Sequence, residues 1–562
     1  MIPQSLNLLY KAKWHSRKLK VRLKQNYFSA KLNSYEKEFK NKLSRYKIKW
    51  NNANKNIVLT QVIADYEMCI KFALATNHLA KKHNANIGLY PVLTVLDFGI
   101  DRNKSFRVRS DFENMYRRME KVFMAFGGRI IYRNTDAFKD KDFIETESKK
   151  IKDRLNSKED IINIHIEGMQ IGDLVYDTYL RMNHKCTVDL QDIYLTKLIT
   201  EVLHVYYNCK AVMAKYNIVA LVNSYTTYIH HGIIVRLLLK NNIPVYTVGG
   251  HNSIVHKVIK EYPSHQNNHF EYPSLFQQVT NKEGELQKAK ASFESRFTGK
   301  IDTAIGYMKE SSFSHYHNFE LDKYEASNTV VVLAHCFFDS PHIYRGLVFP
   351  DFYEWINFTL TTLSRQPHIH VLVKPHPNGI VGNDEIFAEL EKKYAQTNII
   401  FIDKKTSNLQ LIEKKPRALV TAYGTAAAEF AYHHIPVLAI YDNPFTGYDF
   451  ITTANTSSEY ENHLNNIMQL KVEIKKEEIL EYYYMQSHYF LDGINPDYLN
   501  CKDYVGKTHT DDFLINYLPN MSDAFFERAD KIIKLGFNIV KKNQELKISN
   551  GYQHQSFQVE RK

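Results

Sequence analysis

The segment Val371–Ile440 decides the fold of this chain: VLVKPHPNGIVGNDEIFAELEKKYAQTNIIFIDKKTSNLQLIEKKPRALVTAYGTAAAEFAYHHIPVLAI. Short β-branched runs alternate here with helical patterns, which predicts βαβ units and a parallel sheet. The predicted strands are Val371–Val373, Ile399–Ile402, Ala418–Thr421 and Val437–Ile440. Polar residues follow the first and third strands, and ligands of open parallel sheets bind beyond the carboxyl ends of strands. The segment therefore predicts the phosphate-holding half of a ligand site.

The KPHP turn directly follows the first of these strands. Its two prolines enforce an extended turn, so they fix the directions of Lys374 and His376. A cation and an imidazole at this position suit a phosphate or diphosphate, and His376 can also protonate a leaving phosphate. The alternative is a turn in which His376 only caps neighbouring backbone groups.

A second polar loop, TAYGTAAAE, follows the third strand. Gly424 and Thr425 open a helix of small residues, where free N–H groups, the helix dipole and an N-cap at Thr425 predict an anion site. Glu429 lies one turn inside the helix and could reach ribose hydroxyls. An ordinary capped helix with a solvated Glu429 explains the same residues equally well.

A third polar loop, HCFFDSPHIYR, follows the predicted strand Thr329–Ala334. We expect it to lie beside the KPHP turn and to contact phosphate or sugar, with Arg345 as a phosphate clamp. A metal site is a less specific interpretation, and a solvated loop is the plain one. The candidate contacts are His335, Ser340, His342 and Arg345.

The N-terminal half also contains a βαβ pattern, with strands at Ile218–Val222 and Pro244–Val248 around a helix at Thr226–Lys240. A second doubly wound domain is therefore expected. Transfer of a group onto a hydroxyl usually needs a proton acceptor. The candidate bases are Asp97, Glu167, Asp173 and Asp177. Asp173 follows Gly172 at a strand-to-helix transition, where it either faces the cleft or simply caps the helix.

The overall composition is that of a globular protein, and 562 residues are too many for one core. We expect a basic helical extension at 1–55, a Rossmann-like domain at 56–325 and a second Rossmann-like domain at 326–470. We also expect helices that partly cross back at 471–548 and a disordered tail at 549–562. The five cysteines are scattered without CxxC pairing, which fits a reducing cytoplasm. Neither a transmembrane run nor a signal peptide is evident.

The formal net charge is +12, and much of it lies in the basic stretch Leu6–Trp50, which we predict to be helical. Acidic residues are absent before Glu36, while Leu9, Trp14 and other apolar residues are interleaved with the lysines and arginines. This composition is typical of an interfacial helix on an anionic membrane. The alternatives are a basic helix that packs on the protein's own body and a nucleic-acid contact.

Several common motifs are missing from the sequence. We find no Walker A loop, no G-x-G-x-x-G after a strand and no G-x-S-x-G elbow. One DxD triplet, Asp140-Lys141-Asp142, lies in a charge-rich segment and does not follow an apolar strand. We interpret it as solvated surface.

Four stretches resemble bacterial capsule and surface-polysaccharide glycosyltransferases of the GT-B fold, of the Kdo-transferase and polysialyltransferase type. More distantly they resemble teichoic acid polyglycerol-phosphate polymerases. The stretches are IHIEGMQIGDLVYDTYLR, AHCFFDSPH, VKPHP and TAYGTAAAEFAYHHIPVLA. VKPHP looks like the HP motif of CMP-sugar-using enzymes, and Thr425 stands where many relatives carry the serine of a Gly-Ser pair. Ile166-Glu167-Gly168 only partly fits the acidic-acidic-Gly base motif.

The resemblance implies two Rossmann-like domains that face a cleft, a donor site in the second and an acceptor site in the first. It implies no cofactor and no essential metal. Together with the residues it favours transfer from a CMP-sugar such as CMP-Kdo to a surface polysaccharide or lipid-linked acceptor, on the inner face of the cytoplasmic membrane and without nucleic acid. Asp173, His376 and Asp97 are the expected catalytic residues. The alternatives are a CDP-polyol phosphotransferase and a non-catalytic scaffold of a capsule assembly complex.

Overall fold

The computed structural model describes residues 31–92, 106–134, 136–249, 253–299, 311–313, 316–344, 347–379, 382–491, 494, 499, 501, 508 and 510–549. Within these residues the chain forms two domains, each built on a six-stranded sheet. The predicted α/β architecture of two Rossmann-like domains is thereby confirmed. No described helix is both long enough and apolar enough to cross a bilayer.

The first domain contains strands β1 to β8 and helices α1 to α8. The strands are β1 Asn56–Val62, β2 Asn86–Pro91, β3 Arg129–Ile130, β4 His165–Ile166, β5 Met169–Gln170, β6 Asn217–Asn223, β7 Val245–Val248 and β8 Val255–Val258. The helices are α1 Ser34–Leu43, α2 Tyr66–Lys82, α3 Phe106–Phe123, α4 Lys141–Lys152, α5 Lys158–Ile162, α6 Gly172–Asn183, α7 Ile193–Lys215 and α8 Ile229–Lys240. The sheet order is β3-β2-β1-β6-β7-β8, and only β8 is antiparallel. Strands β4 and β5 form a separate hairpin.

The second domain contains strands β9 to β14. They are β9 Thr329–Leu333, β10 His370–Lys374, β11 Ile399–Phe401, β12 Ala418–Thr421, β13 Val437–Ile440 and β14 Thr452–Ala454. Its sheet is parallel throughout and has the order β11-β10-β9-β12-β13-β14. The strand order therefore reverses between β9 and β12, which is the topological switch point where such sheets bind ligands.

The remaining helices are α9 Tyr272–Phe276, α10 Lys282–Ser295, α11 Phe352–Ser364, α12 Asn383–Tyr394, α13 Asn408–Glu413, α14 Ala426–Tyr432, α15 Ser457–Asn465, α16 Lys476–Ser487, α17 Asp511–Tyr517 and α18 Asp523–Ser549. Buried apolar clusters cover both faces of the second sheet, so its strands are buried as continuous apolar runs. On one face α14 lies close to the sheet because small side chains, Ala427, Ala428 and Ala431, fill the contact.

The packing of the connecting segments differs from the predicted boundary at 325. Helices α9 and α10 join the second domain's core, and α10 packs on α16. Near the C-terminus, α17 and α18 contribute to the first domain's core, where α18 packs on α2 and β8. The chain therefore passes between the domains twice.

Part of the predicted membrane segment is docked on the protein's own body. A capping box between Asn33 and Glu36 forms the N-terminal end of helix α1. Phe39 and Leu43 of this helix are fully buried in the core of the first domain. Residues 1–30 lie outside the described part of the chain. Because Phe39 and Leu43 are buried, a membrane contact does not extend over every residue of the predicted segment 6–50.

Candidate functional site

Lys374 ends β10 with its side chain inside the protein, at 2% exposure. Its Nζ donates a hydrogen bond of 2.6 Å to Oδ1 of Asn408 at the start of α13. Burial lowers the pKa of Lys374 to about 8, while the charges of Glu429 and Asp403 partly oppose that shift. The ammonium group is therefore a desolvated cation whose charge is easily changed by its surroundings.

The His376 ring has a defined orientation in the turn after β10. Its Nδ1 accepts a hydrogen bond of 3.1 Å from the backbone N–H of Asn378, so a neutral ring carries its proton on Nε2. Burial lowers the pKa of His376, and the charge of Asp339 opposes this. The turn thus holds Nε2–H as a donor for an anionic group. The predicted alternative, a backbone-capping role, also describes the Nδ1 contact.

His335 joins the loops after β9 and β12. Its Nε2 accepts a hydrogen bond of 3.2 Å from the backbone N–H of Tyr423, and its ring stacks on Phe352. Burial lowers the pKa of His335 to about 3, so the ring is neutral over the physiological range. His335 therefore acts on the site by holding the Tyr423 backbone in place rather than as a cation.

Gly424 and Thr425 begin the turn into α14, beside the His335 ring. Thr425 has helical backbone angles (φ −57°, ψ −27°) and makes no cap hydrogen bond, which differs from the predicted N-cap. Because its hydroxyl does not bond the helix, it remains an exposed polar group next to the leading N–H groups of α14.

Glu429 is buried, unlike the solvated side chain of the alternative prediction. Its Oε1 accepts a hydrogen bond of 2.7 Å from Arg296, which follows α10; the side chain of Glu429 is 3% exposed and that of Arg296 is 14% exposed. Burial raises the pKa of Glu429, while Arg296 and then Lys374 act against that shift. Its predicted contact with ribose hydroxyls stays a prediction.

Ser340 and its neighbours close the site from the side of β9. The hydroxyl of Tyr423 lies 3.3 Å from the carbonyl oxygen of Ser340 and 3.5 Å from that of Pro341. Tyr225, which follows β6 of the first domain, interacts with the side chain of Ser340 and with the charge of Asp339. The carboxyl ends of the two sheets therefore face each other across this point.

The loops after β9, β10 and β12 thus meet at the switch point of the second sheet. They bring together a buried lysine, two oriented histidines and the exposed start of a helix. Such a set can hold a phosphate group through charge-assisted hydrogen bonds.

Asp173 lies on α6 and forms a two-pronged ion pair with Arg236 of α8, at 2.6 and 2.5 Å. Burial pushes the pKa of Asp173 upward, but Arg236 outweighs it and the pKa is lowered overall. A carboxylate held in this way is a weak proton acceptor. Gly172 is required just before it, because a Cβ there would lie 1.9 Å from the carbonyl oxygen of Ile161.

Asp177 lies one turn further along α6 and reaches the second domain. Its Oδ1 is 2.6 Å from Nδ1 of His342, in the turn after β9, and the side chains are 1% and 6% exposed. Burial raises the pKa of Asp177 to about 6, and the charge of Asp177 raises the pKa of His342. The predicted phosphate or sugar contact of His342 is thus limited to its other nitrogen.

Glu167 lies apart from these residues, in a salt bridge with Lys210 on α7 at 2.6 Å and in a hydrogen bond with Tyr206. The DxD aspartate Asp140 caps α4 by accepting from the N–H of Phe143. Asp97 and Arg345 lie outside the described residues, so their predicted roles stay predictions.

An aromatic wall on the first domain, formed by Tyr225 and Tyr228, is absent from the sequence-based predictions. Tyr225 and Tyr228 follow β6, with His265 packed at 3.7 Å from the Tyr225 ring. Tyr228 has φ 62° and ψ 157°, a strained conformation for a residue with a side chain. Strain of this kind is typical of binding sites. In the sequence, only the run of Tyr and Thr residues after the strand could have suggested the aromatic wall.

A separate groove of about 460 Å³ lies where α5 meets α11, away from the three loops. Its lining includes Lys158, Phe349, Glu354, Asn357, Arg365 and Glu461. Among the described residues, no group of three or more His, Cys, Asp or Glu side chains is placed to hold a metal ion.

No protein-family model and no curated protein matches this sequence. Solved structures with some likeness include Thermosulfurimonas dismutans KpsC, a beta Kdo 2,7 transferase, at 12% identity over 49% of this chain and 80% of that chain, with a TM-score of 0.29. The UDP-GlcNAc 2-epimerase from Neisseria meningitidis bound to UDP-GlcNAc has 9% identity over 76% of this chain and 97% of its own, with a TM-score of 0.21. Staphylococcus aureus MnaA with UDP has 12% identity over 81% and 97%, with a TM-score of 0.24. Scores this low support no inference about activity.

Proposed function

We propose that this protein is a glycosyltransferase that moves a sugar from a nucleotide-sugar to a surface or capsular polysaccharide or a lipid-linked acceptor. The observation that carries the proposal is the meeting of the loops after β9, β10 and β12 at the switch point of the second sheet. His335 joins two of these loops, since its ring accepts from the backbone of Tyr423. Nucleotide phosphates bind at such a point in doubly wound sheets.

The donor phosphate would be held by cationic and N–H groups of this domain. Nε2–H of His376 and the first turn of α14 would donate hydrogen bonds to the phosphate. Lys374 would supply positive charge from its buried position at the end of β10. Charge that builds up on the leaving nucleotide is stabilised by donors that are already in place. His376 would also protonate the leaving phosphate. We propose that no essential metal is needed.

A CMP-sugar such as CMP-Kdo is the favoured donor, because VKPHP resembles the HP motif of CMP-sugar-using enzymes. The acceptor would enter from the first domain, along the wall formed by Tyr225 and Tyr228, where aromatic rings suit sugar faces. The basic N-terminal segment would hold the enzyme on the inner face of the cytoplasmic membrane, close to lipid-linked acceptors.

The test is to incubate the purified full-length protein and an acceptor glycan with CMP-, CDP-, UDP- and GDP-linked donors and to identify the nucleotide released. We expect CMP from a CMP-sugar. His376→Ala should lower the release rate about 100-fold, the usual contribution of a proton-transfer residue. His368→Ala is the matched control, because His368 is exposed and lies before β10, at the amino ends of the strands and so opposite to His376.

Either of two results would contradict the proposal and favour a different function. Release of CMP from a CDP-polyol alone would identify a polyol-phosphate transferase that uses the same phosphate site. Absence of release with every donor, together with normal capsule production by the His376→Ala variant in cells, would identify a scaffold protein.

A further inference from the structure

A buried carboxylate–imidazole pair bridges the two domains beside the proposed donor site. Asp177 comes from α6 of the first domain, and His342 comes from the turn after β9 of the second. Their side chains are 1% and 6% exposed, and Oδ1 of Asp177 lies 2.6 Å from Nδ1 of His342. Neither residue is needed to hold phosphate in the function proposed above.

The pair leaves one nitrogen of the imidazole without a hydrogen bond. Because Nδ1 of His342 faces a carboxylate, Nδ1 carries a proton and Nε2 is the atom that can gain or lose one. Nε2 is buried and has no hydrogen-bonding partner among the described residues. Buried polar atoms are normally paired, so an orphaned one points to a group that it meets during function.

The pair lies between the donor loops and the aromatic wall. Tyr423 of the donor loop hydrogen-bonds the backbone of Ser340, two residues before His342. The charge of Asp177 acts on Tyr423 on one side and on Tyr228 on the other. A sugar transferred from donor to acceptor would pass this position.

We propose that Nε2 of His342 accepts the proton of the acceptor hydroxyl and that Asp177 orients and stabilises the resulting imidazolium. The proposal rests on the proposed transferase function. In the step, the acceptor oxygen forms a bond to the anomeric carbon of the donor sugar and its proton goes to Nε2. The bond from that carbon to the nucleotide phosphate breaks, and its electron pair leaves with the phosphate.

The surroundings determine the expected pH dependence. The carboxylates that face His342 are Asp177 and Asp173 on α6 and Asp351 at the start of α11, and together they raise the pKa of His342 despite its burial. His342 acts as a base only when it has lost its second proton. The rate should therefore rise with pH through a value above the ordinary 6.5 of histidine.

Two variants test the inference, with nucleotide binding measured beside transfer. His342→Gln should lower kcat about 100-fold or more, because it removes the proton acceptor, while the Kd for the nucleotide changes less than about threefold. Asp177→Asn keeps a hydrogen-bond acceptor for Nδ1–H but removes the charge, so the acid limb of kcat/KM should move to lower pH. The matched control is His463→Gln on α15, at the protein surface. Thermal unfolding checks that each variant is folded.

The outcomes separate this inference from the proposed function. If the wild type transfers sugar and His342→Gln does so at the same rate with an unchanged pH profile, His342 is not the base and the transferase proposal survives. If His342→Gln is unfolded, an unshifted acid limb in Asp177→Asn overturns the inference. If the wild type neither binds nor releases any nucleotide, both proposals fail.

Discussion

The ammonium group of Lys374 is buried, and we expect this burial to make nucleotide binding depend on pH. Burial lowers its pKa from 10.5 to about 8, so the free protein loses this proton as pH rises through 8. A bound phosphate favours the charged form, hence binding above pH 8 requires uptake of a proton. We expect the affinity for the nucleotide to fall by up to about tenfold per pH unit above that value.

Isothermal titration calorimetry with the nucleotide measures this effect. The titrations run between pH 7 and pH 9.5, about one pH unit or more on either side of the pKa of Lys374. Lys374→Met should bind weakly at all these pH values and show no such slope. Lys404→Met is the control, because Lys404 is a half-buried lysine that is paired with Asp384 on α12. An affinity of the wild type that is constant across the range would contradict a role for Lys374 in holding phosphate.

The residues that the sequence placed well are those whose position depends on local pattern. His376 had to follow a buried strand in a turn stiffened by two prolines, and it does. In contrast, the ion-pair partners that shift the pKa values of Glu429 and Asp173 are distant from them in sequence. Arg296 meets Glu429 133 positions away, and Asp173 meets Arg236 63 positions away. Periodicity contains no information on such contacts. Asp173 could therefore be predicted as a candidate base from the sequence, but its ion pair with Arg236 could not.

At the scale of elements, the pair of Asp173 and Arg236 fixes α6 against α8, and α6 carries Asp177 to the cleft. Both side chains are about 15% exposed, so removing one partner leaves a nearly buried charge. We expect Asp173→Ala to reduce the free energy of unfolding by about 3–5 kcal/mol, since that is the usual penalty for breaking a buried ion pair.

A double variant distinguishes this role from catalysis. Asp173→Ala with Arg236→Leu removes both charges, and urea denaturation should show that most of the lost stability returns. Transfer activity should return with it if Asp173 only positions α6. Recovery of stability without recovery of activity would instead show that Asp173 or Arg236 takes part in the reaction.

Helix α1 docks one part of the basic N-terminal region on the first domain. Glu36 is fully buried, accepts a hydrogen bond of 2.9 Å from Tyr66 and lies 3.4 Å from Arg118. We expect deletion of residues 1–30 to abolish binding to anionic vesicles and to leave the unfolding temperature unchanged. Deletion of 1–43 should also destabilise the protein, because it removes Phe39 and Leu43, each worth about 2–5 kcal/mol of buried contact.

Co-sedimentation with phosphatidylglycerol vesicles, compared with neutral phosphatidylcholine vesicles, measures the first effect, and thermal unfolding measures the second. A protein without residues 1–30 that still sediments with anionic vesicles would place the membrane contact elsewhere on the molecule.

At the scale of the whole molecule, the buried Nε2 of His342 lies at the contact between the two domains, so the proposed substrates would reach it only when that contact opens. Asp351 at the start of α11 accepts hydrogen bonds from Tyr176 at 2.5 Å and from Thr187 at 2.7 Å, and Lys158 pairs with Glu354 beside it. These contacts hold the first domain against the second on one side of the cleft. Hinge motion around a bound ligand is common in proteins of two such domains.

Tyr176→Phe should shift the molecule towards open conformations. It removes a hydrogen bond to a buried carboxylate, which is worth about 1.5–3 kcal/mol, and leaves the ring packing intact. We expect the radius of gyration from small-angle X-ray scattering to increase in the variant without nucleotide and to return towards the wild-type value when nucleotide is added. Tyr179→Phe is the matched control, since Tyr179 lies on the same helix but its hydroxyl bonds Asp192 of the same domain. If both variants scatter alike, Asp351 does not control closure. A selective increase for Tyr176→Phe would show that the contact of Tyr176 with Asp351, which joins the same two domains as the pair of Asp177 and His342, holds the cleft closed.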